Sequence, residues 1–397
     1  MSDGPLRRVT VVGASLAGLS AARALRAQGF DGRLVVIGDE QRLPYDRPPL
    51  SKEILSGTYS ADDINLLDDD EDLDVDWRLG TAAVSLDPAT RAVTLADGDV
   101  VPGDGVVLAT GARARRLPGT DDLAGVHVVR TLDDALALRD AMSRAAHLVL
   151  VGAGFIGAEV ASSARSLGLE VTVVEAAPTP LAVPLGVEMG TLCARLHTDH
   201  GVALRTHVGV AGLEGNGAVE AVVLSDGTRL AADLVVVGIG AQPNVSWLAG
   251  SGLEIADGVV TDATCATNIP GIVAVGDCAA SYDVHAQEVV RSEHWTRALE
   301  QPAAAVATLL NRDGTAQPYT AVPYFWSSQY GRMLQFAGHR RAQDTVRIVH
   351  GDVEERSFAA VYERDGRTVA AFAMAAPRPF TRLRKELRVQ SAASTGT

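Results

Sequence analysis

Cysteine and positive charge are both scarce in this sequence of 397 residues. The three cysteines, Cys193, Cys265 and Cys278, form no C-x-x-C pair and no metal-binding spacing. A disulfide framework is therefore not expected, and a cytoplasmic protein without a bound metal is expected. Lys and Arg number 35 against 49 Asp and Glu, a net charge of −14. This balance argues against a surface that binds nucleic acid or anionic lipid.

Long apolar runs are absent as well. No window of 18 residues is both uncharged and uniformly apolar, so the sequence predicts no membrane-spanning helix. Arg7 and Arg8 precede an apolar stretch, and a twin-arginine leader is the weaker interpretation of this segment. At about 150 residues per domain, the length predicts two or three domains. The 39 glycines follow no three-residue period, which excludes a collagen-like chain.

Two copies of one β-α-β half-unit account for the most informative glycines. They read VTVVGASLAGLSAARALRAQG at 9–29 and LVLVGAGFIGAEVASSARSLG at 148–168. Each copy has a β-branched run, a glycine turn and a helix-period segment that stops at a glycine. In G-x-G-x-x-G the glycines allow a tight turn, close approach of a diphosphate, and packing of helix on strand. The repeat therefore predicts two Rossmann-like dinucleotide sites, one for a tightly held flavin and one for an exchangeable nicotinamide.

Candidate ligands fall at each glycine turn and at the acid after the next strand, which is expected to bind ribose hydroxyls. They are Gly13, Ser15, Leu16, Ala17, Gly18, Asp39 and Glu40 in the first copy, and Gly152, Gly154, Phe155, Ile156, Gly157 and Glu175 in the second. Ser15 replaces the second glycine of the pattern, which is tolerable if its side chain points away from the phosphate. Glu175 would repel a 2′-phosphate, and Ala176 and Ala177 supply no arginine. The second copy is therefore expected to bind NAD(H) rather than NADP(H).

Three other apolar segments end in small-residue turns: VVLATGA at 106–112, LVVVGIGAQPN at 234–244 and IVAVGDCA at 272–279. Each predicts a buried strand, and strands without a binding role are the alternative. Asp277 is distinct, because an acid after a strand and a glycine can bind the ribityl hydroxyls of a flavin. We expect the N-terminus of a following helix to face the diphosphate. The turn candidates are Ala109, Thr110, Gly111, Gly238, Ile239, Gly240 and Gly276.

With these motifs the chain resembles the FAD-dependent pyridine-nucleotide ferredoxin reductases of the aromatic-ring dioxygenase type, over essentially its whole length. The most specific shared segment is LPYDRPPLSKEIL at 43–55, and RSEHW at 291–295 and PYFWSSQYG at 323–331 also match. The resemblance implies an α/β fold with FAD and NADH as cofactors. It places an FAD-binding domain at 1–111 and 242–322, an inserted NAD-binding domain at 112–241, and a smaller α+β C-terminal domain at 323–397.

The resemblance also implies roles for single side chains. Asp39 would bind the adenosine ribose of the flavin, and Arg47 and Lys52 would line its phosphate and ring region. Further flavin contacts are implied for Ala83, Arg130, Asp277, Glu293, His294 and Trp295. Lys52 is expected to pair with Glu159 near the nicotinamide and Trp326 to lie beside the flavin ring, which makes these three the catalytic candidates.

Each of these residues has an alternative interpretation. Outside its motif, Lys52 would be a solvated surface lysine and Glu159 an exposed helix residue, although a buried carboxylate would need a partner. Trp295 and Trp326 could serve the core. A general-base role for His294 is disfavoured, because hydride transfer to a flavin requires no base. The acidic run at 68–74 is expected to be a solvated loop, with a calcium site as the weaker alternative.

The implied activity is NADH-dependent reduction of a [2Fe-2S] or similar ferredoxin that serves an oxygenase. The lack of a redox cysteine pair predicts that electrons leave the flavin directly. Rubredoxin, quinone or oxygen as acceptor, or a non-catalytic flavoprotein sensor, remain alternatives. Neither nucleic acid nor a membrane is an expected partner, and a monomer and a homodimer are equally compatible with the sequence.

Charge is distributed unevenly along the chain. Residues 331–397 contain 12 Lys and Arg against 7 Asp and Glu, a net charge of +5, whereas the remainder carries −19. Five basic residues lie in a short C-terminal segment: Arg378, Arg382, Arg384, Lys385 and Arg388. An acidic ferredoxin is expected to dock there. The alternative is a solubilising tail, since the last seven residues resemble disordered chain.

Overall fold

The computed structural model describes residues 6–68, 70–120, 123–311 and 314–395. Its α-helices are α1 (Leu16–Ala27), α2 (Glu53–Ser56), α3 (Leu132–Met142), α4 (Phe155–Ser166), α5 (Ala182–Asp199), α6 (Trp295–Leu310) and α7 (Pro377–Thr395). Short 3₁₀ helices occur at Pro48–Ser51, Asp62–Ile64, Ser246–Leu248 and Gly276–Cys278. Within these ranges, no helix is long and apolar enough to cross a membrane.

The strands are β1 (Arg8–Val12), β2 (Arg33–Ile37), β3 (Val75–Arg78), β4 (Ala83–Asp87), β5 (Ala92–Leu95), β6 (Val100–Val101), β7 (Gly105–Leu108), β8 (Ala112–Ala114), β9 (Val126–His127), β10 (His147–Val151), β11 (Glu170–Val174), β12 (Ala203–Arg205), β13 (Val210–Gly215), β14 (Val219–Leu224), β15 (Arg229–Ala231), β16 (Leu234–Val237), β17 (Ala241–Pro243), β18 (Ile255–Ala256), β19 (Gly258–Thr261), β20 (Ile272–Ala274), β21 (Ala279–Asp283), β22 (Glu288–Arg291), β23 (Tyr324–Gln329), β24 (Arg332–Gly338), β25 (Thr345–Asp352), β26 (Ser357–Arg364) and β27 (Arg367–Met374).

The chain divides into two compact units, each built from separate stretches of sequence. The first unit contains the residues up to Asp46, Asn65–Arg113 and Pro243–Tyr324. The second contains Arg47–Ile64, Ala114–Gln242 and the residues from Phe325 onward. The segment 47–64, which the sequence assigns to the FAD-binding domain, thus clusters with the second unit. The three predicted domain boundaries themselves stay a prediction.

A parallel sheet of order β20-β7-β1-β2-β3 forms the centre of the first unit. Its inner strands are almost wholly buried, as expected for a parallel sheet covered on both faces. Helices α1 and α6 pack together, and Leu25 and Val306 join Val9 and Val11 in the core on one face. A second apolar cluster, which includes Val93 of β5, packs on the other face.

The second unit repeats this plan and adds an antiparallel sheet. Its parallel sheet has the order β12-β11-β10-β16-β9 and carries α4 after β10. The added sheet has the order β23-β24-β27-β26-β25. Aromatic residues of that sheet pack with Leu185 and Met189 of α5 in one apolar cluster, while α7 packs on β24 and β27.

The predicted repeat and its strands are confirmed. β1-α1-β2 and β10-α4-β11 have the same order and parallel pairing, and the three apolar segments form β7, β16 and β20. One expectation was wrong. No α-helix follows Asp277, because the chain turns at Gly276 (φ +68°) and continues into β21, and α6 begins only at Trp295. The basic segment belongs to α7, which continues to Thr395 through most of the last seven residues, whose composition resembles disordered chain; residues 396 and 397 lie outside the described ranges.

The acidic run at 68–74 lies in a loop, as predicted, although residue 69 is outside the described ranges. One member of the run is held by the first unit. The Glu71 carboxylate accepts two hydrogen bonds from the Arg23 guanidinium, both at 2.6 Å, and this contact lowers the pKa of Glu71. Over the described parts of the chain, no group of His, Cys, Asp and Glu side chains could hold a metal ion.

Candidate functional site

The first glycine turn is set by close contacts between backbones in the first unit. A Cβ added at Gly13, where φ is +122°, would lie 2.0 Å from the carbonyl oxygen of Ala109. One added at Gly18 would lie 1.8 Å from the carbonyl oxygen of Gly13. Larger residues therefore cannot replace either glycine without moving the turn. α1 begins at Leu16, and the Ser15 side chain does not cap it, so its first-turn N–H groups suit an anion.

The A-T-G turn after β7 is clamped by a residue that sequence reasoning did not select. Thr110 Oγ1 donates to the carbonyl oxygen of Asn244 at 2.7 Å, and Asn244 Nδ2 donates to the carbonyl oxygen of Thr110 at 3.0 Å. The Asn244 N–H also donates to the carbonyl oxygen of Gly111. Asn244 closes the quoted motif GIGAQPN, so the signal was present in the sequence. The clamp fixes the turn that covers Gly13.

Three of the four acids predicted for the flavin, Asp39, Glu40 and Asp277, differ in their surroundings. Asp39 is exposed, and its carboxylate makes no hydrogen bond within the described ranges. Glu40 accepts a hydrogen bond of 2.5 Å from the Tyr45 hydroxyl. Asp277 is half-buried next to Gly276, whose N–H donates to Gln301 Oε1 at 2.9 Å. Asp39 is thus the acid with the most acceptor capacity left for a ribose.

The RSEHW segment contacts Asp46 in the first unit. Trp295 Nε1 donates to Asp46 Oδ1 at 2.7 Å, and the half-buried indole packs against the core under α1. His294 is the N-cap residue of α6, and Glu293 accepts a hydrogen bond from Arg291. Ala83 begins β4 and is half-buried. The side chain of Trp295 therefore has a core contact as well as its predicted flavin role.

The second glycine turn repeats the first in the second unit. A Cβ added at Gly152, where φ is +97°, would lie 2.4 Å from the carbonyl oxygen of Gly238, and one at Gly157 would lie 2.3 Å from that of Gly152. A Cβ at Gly154 would find no atom nearer than 3.9 Å. Two of the three glycines are therefore required for packing, whereas Gly154 leaves open space where a diphosphate would approach.

A cavity of about 450 Å³ opens beside this turn, and we call it the nucleotide pocket. Seven of the predicted residues line it: Gly152, Gly154, Phe155, Glu175, Gly238, Ile239 and Gly240. Among the described lining residues, Glu175 carries the only ionised side chain. Its carboxylate accepts the N–H groups of Ala153 and Ala177, both at 2.8 Å, which holds it in one orientation. Ile156 lies next to Phe155 at the start of α4 and is 47% exposed.

A buried carboxylate holds together three parts of the second unit, and we call Ser51, Lys52, Glu159, Ser327 and Ser328 the Glu159 cluster. Glu159 is 3% exposed. Its Oε2 accepts from Ser51 Oγ at 2.5 Å and from Lys52 Nζ at 2.8 Å. Its Oε1 accepts from Ser327 Oγ at 2.8 Å and from the Ser328 N–H at 3.0 Å. The predicted contact of Lys52 with Glu159 is therefore present.

Sequence reasoning missed the other donors of this cluster. Ser51 lies in PPLSK and Ser327 and Ser328 in PYFWSSQYG, so both motifs were noticed but only Lys52 and Trp326 were selected. A carboxylate buried to this extent needs several donors, because one cation leaves oxygen lone pairs unsatisfied. This requirement for several donors could have drawn attention to hydroxyl-bearing residues next to Lys52, such as Ser51.

β23 connects the Glu159 cluster to the nucleotide pocket. The Phe325 ring lies 4.7 Å from the Phe155 ring, centroid to centroid. Since side chains alternate along a strand, Trp326 points away from the face that carries Phe325 and Ser327. Trp326 is half-buried. Elsewhere in this unit, the Arg47 guanidinium donates to the carbonyl oxygen of Arg130, which brings the two predicted flavin-binding arginines together.

The cysteines are not arranged for redox chemistry. Cys193, Cys265 and Cys278 are all buried and none is in a disulfide. Burial raises the pKa of the Cys193 thiol and of the Cys265 thiol to about 12, so neither forms a thiolate near neutral pH. Any electron transfer by this chain must use another group.

Comparison with known proteins agrees with this geometry. The sequence profile described as pyridine nucleotide-disulphide oxidoreductase matches residues 7–302, and the profile described as reductase C-terminal matches residues 324–395. The chain belongs to the pyridine nucleotide-disulphide oxidoreductase family. This membership confirms the predicted family, the α/β fold class and the FAD and NAD(H) cofactor pair of an oxidoreductase. The glycine turns and their acids fit two such dinucleotides.

Several members of the family resemble the chain over nearly its whole length. Rhodocoxin reductase of Rhodococcus erythropolis is 37% identical over 386 residues, which cover 96% of this chain and 90% of the relative. The biphenyl dioxygenase system ferredoxin–NAD(+) reductase component of Paraburkholderia xenovorans is 38% identical, with 94% and 91% covered. In the crystal structure of the covalent putidaredoxin reductase–putidaredoxin complex, the matching chain gives a TM-score of 0.91 at 33% identity, with 96% and 93% covered.

Replacing Glu159 tests the Glu159 cluster. Glu159→Gln keeps the size of the side chain but removes the charge opposite Lys52. It also replaces one carboxylate oxygen, which accepts two hydrogen bonds, by an NH₂ group that cannot accept them. We expect a loss of stability on the order of 3 kcal/mol, because breaking a buried pair leaves a charge without compensation. The measurement is the urea midpoint of the flavin-loaded protein.

The control is Glu220→Gln, since Glu220 is an exposed residue of β14 in the same unit. Its midpoint should match that of the unmodified protein. Equal midpoints for the Glu159→Gln and Glu220→Gln proteins would show that the cluster contributes no stability.

Proposed function

We propose that this oxidoreductase uses NADH to reduce an iron–sulfur ferredoxin that serves an oxygenase, with FAD as its bound cofactor. The observation that supports this most is the presence of two dinucleotide turns in a chain whose cysteines are all buried. One turn would bind the flavin and the other the nicotinamide dinucleotide. No cysteine pair is present to pass electrons from the flavin to the acceptor through a disulfide. The names of the relatives, which are ferredoxin reductase components, point the same way.

NADH would bind in the nucleotide pocket. The first-turn N–H groups of α4 would bind the diphosphate, and Gly154 would let it approach the backbone. Glu175 would accept hydrogen bonds from the adenosine ribose, and its charge would repel the 2′-phosphate of NADPH. No lysine or arginine among the described lining residues offsets that repulsion, which supports the predicted preference for NADH.

FAD supplies the step from a two-electron donor to a one-electron acceptor, since it takes a hydride and releases electrons singly. In the first unit, Gly13, the start of α1, Asp39 and Asp277 would bind it, with Trp295 held in place by Asp46. Arg47, Arg130 and Trp326 stay flavin contacts predicted from the family resemblance. Because hydride transfer requires only that the donor and acceptor be oriented and kept dry, the residues bind and position rather than exchange protons.

The Lys52–Glu159 pair would serve the nicotinamide end of the bound NADH. Glu159 lies one turn after Phe155 on α4, and Phe155 lines the nucleotide pocket. The Glu159 carboxylate lies 2.8 Å from the Lys52 ammonium nitrogen. Lys52 is 18% exposed at its side chain, so its remaining donors can reach a ligand.

The acceptor would dock on α7. Phe380 and Leu387 are buried on one side of this helix, and the opposite side carries Arg378, Arg382 and Lys385 at the spacing of one exposed stripe. Arg388 is exposed next to this stripe, whereas Arg384 is half-buried. A positively charged face on an acidic protein would attract an acidic ferredoxin and orient it. We propose that the protein works in the cytoplasm, as a monomer or as a homodimer.

Two glycine variants test the nucleotide pocket. Gly154→Ala should leave the fold intact, because the added methyl group meets no protein atom, but should raise the KM for NADH about ten-fold by obstructing the diphosphate. Gly152→Ala should instead destabilise the protein, because its methyl group would strike the Gly238 carbonyl oxygen. Steady-state kinetics and thermal unfolding measure both effects. An unchanged KM in the Gly154→Ala protein would contradict the proposed diphosphate site.

The acceptor is tested by NADH oxidation with and without a purified [2Fe-2S] ferredoxin. We expect the rate to rise with ferredoxin concentration and to saturate, while the rate with oxygen or a quinone stays low. NADPH at the same concentration should support a much lower rate. A rate that is independent of ferredoxin and saturates with a quinone would assign the chain to a different acceptor.

Four charge-neutralising substitutions test the docking surface. Replacing Arg378, Arg382, Lys385 and Arg388 by glutamine should lower kcat/KM for ferredoxin about ten-fold, because electrostatic steering is lost. Reduction of ferricyanide should be unchanged. Arg229→Gln, an exposed arginine of β15, is the control and should alter neither rate. A parallel loss of both activities in the four-residue variant would refute docking on α7.

A further inference from the structure

One wall of the nucleotide pocket comes from a short turn that is not part of the repeated β-α-β unit. The turn comprises residues 182–185 at the start of α5, and we call it the α5 turn. Leu181, before it, has φ +57°, and Gly186, after it, is non-helical with φ +79°. The Leu185 N–H donates to the carbonyl oxygen of Leu181 at 3.0 Å. The α5 turn is therefore one closed helical turn between two points of left-handed backbone.

The α5 turn lines the nucleotide pocket, and its most exposed side chain is apolar. Ala182, Val183 and Pro184 are lining residues of the nucleotide pocket. The Val183 side chain is 87% exposed, the largest exposure among the large apolar residues described for this chain. A bound nucleotide would cover some of this apolar surface.

Two side chains of the same unit hold the backbone of the α5 turn, one from the antiparallel sheet and one from the segment that follows β24. A helix that ends after one turn leaves carbonyl groups without an N–H partner. Tyr362 on β26 donates its hydroxyl hydrogen to the carbonyl oxygen of Leu185 at 2.7 Å. Arg340, two residues after β24, donates from Nη1 to the carbonyl oxygen of Val183 at 3.1 Å.

The break at Gly186 makes room for one of these contacts. A Cβ at Gly186 would lie 2.8 Å from Nη2 of Arg340, so the guanidinium rests against the glycine backbone. Tyr362 itself is 1% exposed and belongs to the apolar cluster that includes Leu181, Leu185 and Met189. The position of the α5 turn therefore depends on the hydrogen bonds from Arg340 and Tyr362.

We propose that Arg340 and Tyr362 are positioning residues for the pyridine nucleotide. By holding the carbonyl groups of Val183 and Leu185, they fix the α5 turn where it closes the nucleotide pocket around the ADP-ribose part of the ligand. The antiparallel C-terminal sheet thereby sets nucleotide affinity without lining the pocket. This inference rests on the proposed function in one respect, which is that the pocket binds a pyridine dinucleotide.

Equilibrium binding of ADP-ribose to the flavin-loaded protein, measured by calorimetry, tests the proposal without relying on turnover. Tyr362→Phe removes one hydroxyl and keeps the buried ring, and Arg340→Ala removes the other donor. Each variant should weaken ADP-ribose binding about five-fold, the effect of one lost hydrogen bond. The KM for NADH should rise by a similar factor while kcat at saturating NADH and the flavin spectrum stay unchanged. Arg340→Lys, which keeps a cationic donor, should recover part of the affinity.

Arg367→Ala is the matched control, because Arg367 is an exposed arginine of β27 in the same sheet. It should bind ADP-ribose as the unmodified protein does. If the unmodified protein does not bind ADP-ribose, the proposed nucleotide pocket is wrong. If it binds, but Tyr362→Phe and Arg340→Ala bind equally tightly, the pocket stands and the positioning role is overturned.

Discussion

The buried carboxylate of Glu159 is the interaction on which the second unit depends most. It is nearly inaccessible to water, and four donors surround it and satisfy its oxygen atoms. Those donors come from the segment before α2 and from β23, whereas Glu159 is on α4. The carboxylate therefore fixes Lys52 and the strand that carries Trp326 relative to the helix that begins at the nucleotide pocket.

Contacts between glycines and carbonyl oxygens impose a second constraint, and they do so twice. Gly13 lies under the turn after β7, and Gly152 lies under the turn after β16. In each case the strand ends so close to its neighbour that a side chain is excluded, and at the second turn a cavity opens beside the start of α4. The same local geometry thus places a glycine turn before the N-terminus of α1 and before that of α4, in the two copies of the repeated sequence.

The sequence was sufficient for elements whose cause is local. β-branched runs and obligatory glycines predicted β1, β10, β7, β16 and the helices between them. Family resemblance supplied the contact of Lys52 with Glu159, because residues 107 positions apart carry no local sign of contact. The same distance problem hid Ser327, which donates to Glu159 on α4, and Arg340 and Tyr362, which donate to carbonyl oxygens at the start of α5. The helix expected after Asp277 was wrong, because Gly276 turns the chain into β21. A strand followed by a glycine can lead into either a helix or another strand, and the sequence pattern does not tell the two apart.

The proposed activity requires that NADH reduce a flavin held by this chain. Anaerobic titration of the purified protein with NADH tests this most directly, with the visible absorbance of the oxidised flavin as the signal. We predict that the absorbance falls in proportion to the NADH added, is lost at one equivalent, and returns when oxidised ferredoxin is added. A protein that contains no flavin, or a flavin spectrum that NADH leaves unchanged, would contradict the account.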